Sequence, residues 1–283
     1  MRSIILIGMK KMINKLNIVV IGASGSIGGH FLDVILSKYI NAISLGRSAP
    51  SSKIKHIKID LSNLNSVQKA GLEALRELGK IDVVINFSGV HHKPMDFKSS
   101  NQSKNLHEFD KVLNVNLRGA FIITQVFGEL LINQRNGHII HLCSNASRLS
   151  LYGSYAYNSS KHGLEGLIKT AAAQLAPYKV RVNGVAPGTV ETDLNKNQLR
   201  DDKGNFTPRA ASILAHTPTK KFATLEGITE TLIAVCVPQR HLTGNIIFCD
   251  DGYNIEGHSW PEGNIALYKG MENLDKFLKN IEK

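Results

Sequence analysis

Tyr157 and Lys161 stand four residues apart in the run Ser154-Tyr155-Ala156-Tyr157-Asn158-Ser159-Ser160-Lys161. On a helix that spacing puts both side chains on one face, about one turn apart. A phenol with its ordinary pKa of about 10 exchanges protons poorly near neutrality. A neighbouring ammonium favours the phenolate, so such a pair has the chemistry of a general acid for carbonyl reduction or a general base for alcohol oxidation. Taken alone, the spacing arises by chance in many helices, and a solvated pair is the bland reading.

A second constellation is Ile21-Gly22-Ala23-Ser24-Gly25-Ser26-Ile27-Gly28. Glycines and small polar residues fall where an apolar strand pattern gives way to a helical one, so the backbone can turn tightly and approach a phosphate. The helix amino terminus then offers unpaired N–H groups and a partial positive charge to an anion. A dinucleotide site of this kind commonly carries an acid at the end of the second strand, which accepts hydrogen bonds from the ribose 2′-hydroxyl. Here that place reads Ser44-Leu45-Gly46-Arg47-Ser48, an arginine with no carboxylate. A guanidinium grips a 2′-phosphate through paired charge-assisted bonds and gains little from a bare ribose. NADP(H) is therefore the expected cofactor, with NAD(H) as second choice; the alternative for Arg47 is a solvated turn residue.

The elements that must carry these residues are legible as an alternation of short apolar runs and longer helical patterns, the signature of βαβ units and a parallel sheet. Strands are predicted at 18–21, 42–45, 54–59, 81–86, 138–142, 180–185 and 245–249, and several are the continuous Val/Ile runs of strands buried on both faces. Helices are predicted at 27–37, 64–78, 108–133, 154–176 and 225–235. The expected fold is α/β: a single Rossmann-type doubly wound domain with a seven-stranded parallel sheet over 17–253. Residues 1–16 read as an N-terminal extension, with Met9 and Met12 as alternative starts, and 254–283 as a tail whose segment 271–283 has amphipathic spacing. Residues 191–222 are polar and break the rhythm; a loop of that length inside a domain is usually functional, and it is read as the substrate loop.

In the order Asn86-Phe87-Ser88-Gly89, Asn114-Val115-Asn116, Ser144 thirteen residues before Tyr157, Lys161, and Pro187-Gly188 followed by Thr192, the chain resembles the classical short-chain dehydrogenase/reductase family over about residues 17–253. Asp60-Leu61 after the third strand and Asp251-Gly252 after the last belong to the same pattern. The resemblance implies an oxidoreductase in which Tyr157 exchanges the proton, Ser144 hydrogen-bonds the substrate oxygen, Lys161 holds the nicotinamide ribose, and Asn116 holds a relay water. It further implies that Asp60 and Leu61 contact the adenine, that Asn86 and Gly89 line the cofactor cleft, that Val190 and Thr192 fix the carboxamide end, and that Ser88, Pro187 and Gly188 are cofactor-binding as well. Two departures stand out. Glycine falls at 25 and serine at 26, which gives the Gly-x-x-Gly-x-x-Gly spacing of the family's extended branch, and Phe87 is larger than the residue usual in its motif. Similarity of motif content to the 3-oxoacyl carrier-protein reductases makes a 3-oxoacyl group the leading substrate. The rival readings are an NADP(H)-binding sensor or subunit without turnover, and an extended-type nucleotide-sugar epimerase or dehydratase.

Composition narrows the remaining classes. A chain of 283 residues with 42% hydrophobic and 20% charged residues has the make-up of a globular domain. The formal charge of +11 is spread along the chain instead of gathered in a patch, which argues against nucleic acid while suiting an anionic ligand or an acidic carrier protein. No apolar run reaches the roughly 20 residues of a membrane span. Three cysteines without metal-ligand spacing suit a reducing, cytoplasmic setting, and no metal site is expected. The partners expected are a small-molecule carbonyl or alcohol, with a carrier-linked form the leading case, and further copies of the chain as a homodimer or homotetramer. His91 and His92 lie just past the cofactor strand, where they could line the mouth of the site, and are read as solvated loop histidines; His138 and His141 are read as packed or hydrogen-bonded, and Cys143 as an inert buried thiol.

Overall fold

Seven short runs rich in β-branched residues form the sheet, since such side chains pack well on a pleated, buried surface. They are β1 (Asn17–Ile21), β2 (Asn41–Gly46), β3 (His56–Lys58), β4 (Val83–Asn86), β5 (Gly137–Leu142), β6 (Val180–Pro187) and β7 (Ile246–Cys249). Every pairing is parallel, in the order β3-β2-β1-β4-β5-β6-β7. All positions of β1 and β4 are buried, as a sheet covered on both faces requires. The order reverses between β1 and β4, the kind of switch point beyond whose carboxyl ends α/β sheets bind ligands. Register aligns the site-bearing strand ends there: Ile21 lies opposite Leu45 and Asn86, and Asn86 lies opposite His141. The predicted strands thus all exist, with bounds within two residues.

The computed structural model describes residues 16–37, 41–92, 95, 102–151, 153–192, 195–237 and 241–255. Of the expected extension over 1–16 only Leu16 is described, and it is buried; residues 1–15 and the amphipathic segment 271–283 lie outside the described residues. The helices are α1 (Ser26–Leu36), α2 (Leu64–Leu78), α3 (Gln102–Leu113), α4 (Gly119–Gln134), α5 (Tyr155–Leu175), α6 (Lys196–Leu199), α7 (Pro208–His216) and α8 (Leu225–Cys236). Asn63 starts α2 by accepting a hydrogen bond from the Ser66 amide at 3.1 Å, and Thr224 starts α8 by accepting from the Gly227 amide, also at 3.1 Å.

Two expectations need correction. The single helix predicted at 108–133 begins at Gln102 and is interrupted by a π turn at Asn114–Arg118, a widened turn of a kind often found at functional sites. Segment 191–222 is not a plain loop, because it holds α6 and α7. The start of α7 has a clear cause: the Thr207 side chain accepts from the Ala210 amide at 3.2 Å and Pro208 occupies the first turn, where its missing N–H costs nothing.

The chain divides into two compact units, the larger made of residues up to Pro187 with Thr224–Cys249, the smaller of Gly188–Ala223 with residues from Asp250 on. The larger holds the whole sheet, α1 to α5 and α8. Its core runs from Val19 and Ile21 through Val84 and Ile139 to Ile123, Phe127 and Leu131 of α4, all of them buried. The run Gln102–Gln134 is long and apolar enough to cross a membrane, yet 56% of its most apolar window is buried inside the protein, as in a core helix. In the smaller unit, Thr189 accepts from the Ala223 amide at 2.9 Å, and Arg200 pairs with Glu191 at 2.6 Å.

Candidate active site

The turn after β1 is glycine-dependent for steric reasons that can be located atom by atom. Gly22 has φ +81°, and a Cβ there would meet the Ser88 amide nitrogen at 2.8 Å. At Gly28 a Cβ would meet the Gly22 carbonyl oxygen at 2.8 Å and the Phe87 Cβ at 3.2 Å. Phe87 therefore does not disturb the site: it seals the floor of the turn against Gly28, with its ring 5.4 Å from that of Phe31. Gly25 is different, because nothing lies closer than 3.8 Å to a Cβ built on it. It begins α1 with no side-chain cap and no acid in the first turn, and Ser24, Gly25 and Ser26 are exposed. An uncapped helix amino terminus flanked by hydroxyls is a donor set for phosphate.

Beside this turn, Arg47 is exposed at the end of β2 and has no ion pair among the described residues. Asp60 is also exposed; hydrogen bonds from the Ser62 hydroxyl and amide, at 2.7 and 2.9 Å, hold its carboxyl below the usual range. Leu61 packs where a Cβ on Gly119 would reach it at 3.3 Å, at the end of the π turn. Cradle and anion donors together fit the pyrophosphate of a nicotinamide dinucleotide, and the Arg47 charge adds to the lowering of the Asp60 pKa.

The π turn delivers Asn116 into the interior. Its side chain clamps one residue of the β4 exit from both sides, accepting from the Val90 amide at 2.8 Å and donating to the Val90 carbonyl at 2.9 Å. Its remaining N–H reaches the Ser160 hydroxyl at 3.1 Å. A Cβ on Gly89 would lie 3.6 Å from the Asn116 Oδ1 and 3.9 Å from the Lys161 Nζ, so Asn116, Gly89 and Lys161 converge. Lys161 is buried, donates to the Leu142 carbonyl at 2.7 Å, and holds its ammonium 5.6 Å from the centre of the Tyr157 ring. Two residues beyond Leu142, Ser144 caps a short 3-10 turn: its hydroxyl accepts from the Ala146 amide and donates to the Asn145 side chain, both at 3.1 Å.

Below these residues runs a buried polar chain that the sequence did not show. Asn86 accepts from the Ser88 amide at 2.9 Å and donates to His141 Nδ1 at 3.2 Å; His141 Nε2 donates to the Thr124 hydroxyl at 2.9 Å, which donates to the Ala120 carbonyl. Burial, with the Lys161 charge adding to it, pushes His141 down to about 3, so it is neutral and locks Asn86 in one rotamer. His138, also fully buried, accepts from the Asn183 side chain at 2.8 Å and is likewise held neutral by burial. Burial pushes the Cys143 thiol up to about 12, which makes it inert.

His91 and His92 are not solvated loop residues. The His91 ring lies 4.5 Å from that of Tyr157, and His92, 5% exposed, accepts from the Tyr157 amide at 3.4 Å. Their place just past the cofactor strand allowed for the mouth of the site, but not for these contacts with the start of α5, which close loops of more than sixty residues. In the smaller unit, Asn195 ties Thr192 to Val190: its Oδ1 accepts from the Thr192 amide at 2.8 Å and its Nδ2 donates to the Val190 carbonyl at 2.7 Å. Gly188 is pressed there against Asp250, whose Cα a Cβ would meet at 2.8 Å. Among the described residues no group of acids, histidines and cysteines could hold a metal.

The chain's relatives agree with this geometry. The pattern described as short chain dehydrogenase matches residues 16–203. The chain is 27% identical over 244 residues to a 3-oxoacyl-[acyl-carrier-protein] reductase of Buchnera aphidicola, covering 86% of this chain and 89% of the relative. It is 29% identical over 243 residues to a 2-dehydro-3-deoxy-D-gluconate 5-dehydrogenase of Bacillus subtilis, covering 82% and 89%. The ligand-free aldohexose dehydrogenase of Thermoplasma acidophilum superposes with a TM-score of 0.75 at 24% identity, over 87% of this chain and 97% of that one, which bears on fold alone. A family pattern spanning well over half of the chain, on the doubly wound sheet with its glycine turn, makes this protein a member of the short chain dehydrogenase family, an oxidoreductase acting between alcohol and ketone with a nicotinamide cofactor.

Proposed function

We propose that the protein reduces a ketone to a secondary alcohol with NADPH, and that Tyr157 is the general acid. The observation that carries this reading is the buried Lys161 ammonium, fixed by the Leu142 carbonyl and held 5.6 Å from the Tyr157 ring. A bound nicotinamide supplies the hydride. Tyr157 then donates its proton to the carbonyl oxygen as negative charge develops there, and Ser144, freed from Asn145 by rotation about its hydroxyl, donates a second hydrogen bond to the same oxygen. The Lys161 cation stabilises the phenolate left behind, in a site where burial keeps screening weak. The side chain of Asn116 is engaged with Val90 and Ser160, and its role in holding a relay water rests on the family resemblance.

For the cofactor, Gly22, Ser24, Gly25, Ser26, Ile27 and Gly28 receive the pyrophosphate, and Arg47 the 2′-phosphate. Asp60 and Leu61 flank the adenine, Asn86 and Gly89 line the cleft, Val190 and Thr192 serve the carboxamide, and Ser88, Pro187 and Gly188 complete the cofactor-binding set. A 3-oxoacyl thioester is the leading substrate, a choice supported by the reductase relatives and by a charge of +11 that suits an acidic carrier. Exposed Phe121 on α4 supports a homodimer or homotetramer, and three free cysteines support a reducing, cytoplasmic compartment. The test is a panel of a 3-oxoacyl thioester, sugar-derived ketones and steroid ketones, each offered NADPH and NADH. Turnover of the thioester with NADPH preferred supports the reading. Turnover confined to sugar-derived ketones removes the acyl assignment, and equal use of the two cofactors removes the role of Arg47.

A further inference from the structure

Helix α5, which carries Tyr157 and Lys161, starts in an unusual way. Ser154 stands at its cap position, yet its side chain accepts nothing from the first turn. A serine there ordinarily accepts from the amide two or three residues on, relieving one of the orphan donors of the helix start. Instead the Ser154 hydroxyl faces the His91 Nε2 at 3.5 Å, and the Tyr157 amide donates to the His92 Nε2 at 3.4 Å. The His91 Nδ1 donates to the His92 carbonyl at 2.6 Å, and the two imidazoles stack with centroids 5.4 Å apart. His91 in turn lies against the Tyr157 ring, 4.5 Å between centroids and tilted by 44°.

We propose that His91 and His92 are positioning residues for Tyr157, His92 replacing the serine as the cap of the helix that carries it and His91 walling the phenol ring. The proposal deepens the reading of Tyr157 as general acid and rests on it. His92 performs this role only as a neutral ring with a bare Nε2. A proton on that nitrogen removes the acceptor and sets a cation at the positive end of the helix, which the macrodipole opposes. Among the contacts that the structure gives it, the titratable group against His92 is the stacked His91 of its own segment, and α5 meets it through the Tyr157 amide. His91 tolerates either charge state, since Nδ1 already donates and a serine hydroxyl can accept or donate at Nε2. Uptake of a proton by His92 therefore loosens the first turn of α5 and displaces the phenol, while the glycine turn that holds the cofactor lies on another element.

The experiment compares the full-length protein with its His92→Leu and His92→Gln variants. It reads kcat and the KM for NADPH across about pH 5 to 9, the range in which an imidazole changes charge. His92→Leu is expected to lose roughly tenfold or more in kcat at neutral pH, as misplaced catalytic groups do, with the NADPH KM within about twofold because binding energy is untouched. His92→Gln offers a carbonyl acceptor that does not titrate. It is expected to recover most of kcat and to hold it level in acid, where the proposal expects the parent to decline. Unchanged kcat in His92→Leu, or an acid decline retained in His92→Gln, overturns the proposal. A second measurement does not depend on turnover or on the folding of a variant: nitrogen NMR of the parent labelled in histidine. A bare Nε2 and a protonated Nδ1 on His92 at alkaline pH are expected, and the opposite tautomer removes the cap. Full activity of Tyr157→Phe would remove the acid assignment instead, leaving the NMR result to judge the cap by itself.

Discussion

At the scale of single residues, glycines of the β1 turn that look alike in the sequence have different reasons to be glycine. Gly22 and Gly28 have neighbours within 2.8 Å of any added Cβ, so alanine at either damages the fold itself. Gly25 has none, so its small size matters only to something that approaches from outside. Gly25→Ala is therefore expected to keep the parent's melting temperature while raising the Kd for NADPH roughly tenfold or more, about the loss of one charge-assisted hydrogen bond. A Kd unchanged in calorimetry would remove the phosphate from this turn. Arg47 belongs to the same argument, since it is exposed and, among the described residues, makes no ion pair within 4 Å, its nearest acidic influence being the longer-range one on Asp60. Arg47→Leu should weaken NADPH roughly ten- to a hundredfold, from about 1.5–3 kcal/mol for bonds to a charged group, and leave NADH unaffected. Tyr157, Lys161, Ser144 and Asn116 were legible because their spacing is local or their motif familiar. His91 and His92 were not, since the partners that give them a role lie 63 and 65 residues away.

At the scale of elements, the strands were readable because buried parallel strands write themselves as apolar runs, whereas β5 hides two polar decisions inside such a run. His138 and His141 sit fully buried and each accepts an N–H from an asparagine side chain, so both must be neutral in the fold. The His141 pKa falls from 6.5 to about 3 on folding, and that of His138 falls well below 6.5. Between those values the unfolded chain binds more protons than the native one, so stability rises with pH up to about 6.5 and is lost progressively below it. The slope is about 1.4 kcal/mol per pH unit for each histidine. Urea midpoints should drop between about pH 7 and pH 5 and drop less in His141→Asn; equal drops would mean that His141 carries no such linkage. Helix α7 could have been read from Thr207-Pro208, a cap followed by a first-turn proline, and was hidden by the polar composition around it. The π turn could not: Asn114, Val115 and Asn116 are weak helix formers, but no local pattern spells a widened turn, and the bonds that accompany it run from Asn116 to Val90, 26 residues away.

At the scale of the whole molecule, one sheet brings the carboxyl ends of β1, β4 and β5 together, and the convergence of Gly89, Asn116 and Lys161 there is what no linear pattern could display. The buried interior also sets the reactivity of the chain as a whole. Cys143 and Cys236, both pushed up to about 12 by burial, should resist iodoacetamide in the native protein, while half-buried Cys249 is modified first; mapping the labelled peptides by mass checks the order. Sedimentation should return a dimer or tetramer of the 31.1 kDa chain, and a monomer mass would leave Phe121 on α4 without the partner proposed for it. The central claim is that Tyr157 exchanges the proton, and its direct test is the steady-state rate of NADPH-dependent ketone reduction in the parent and in Tyr157→Phe, with NADPH affinity measured on both. The account expects kcat to fall by a factor of 10² to 10⁴, roughly the worth of a general acid, at unchanged NADPH affinity. A variant that keeps the parent's rate would contradict it.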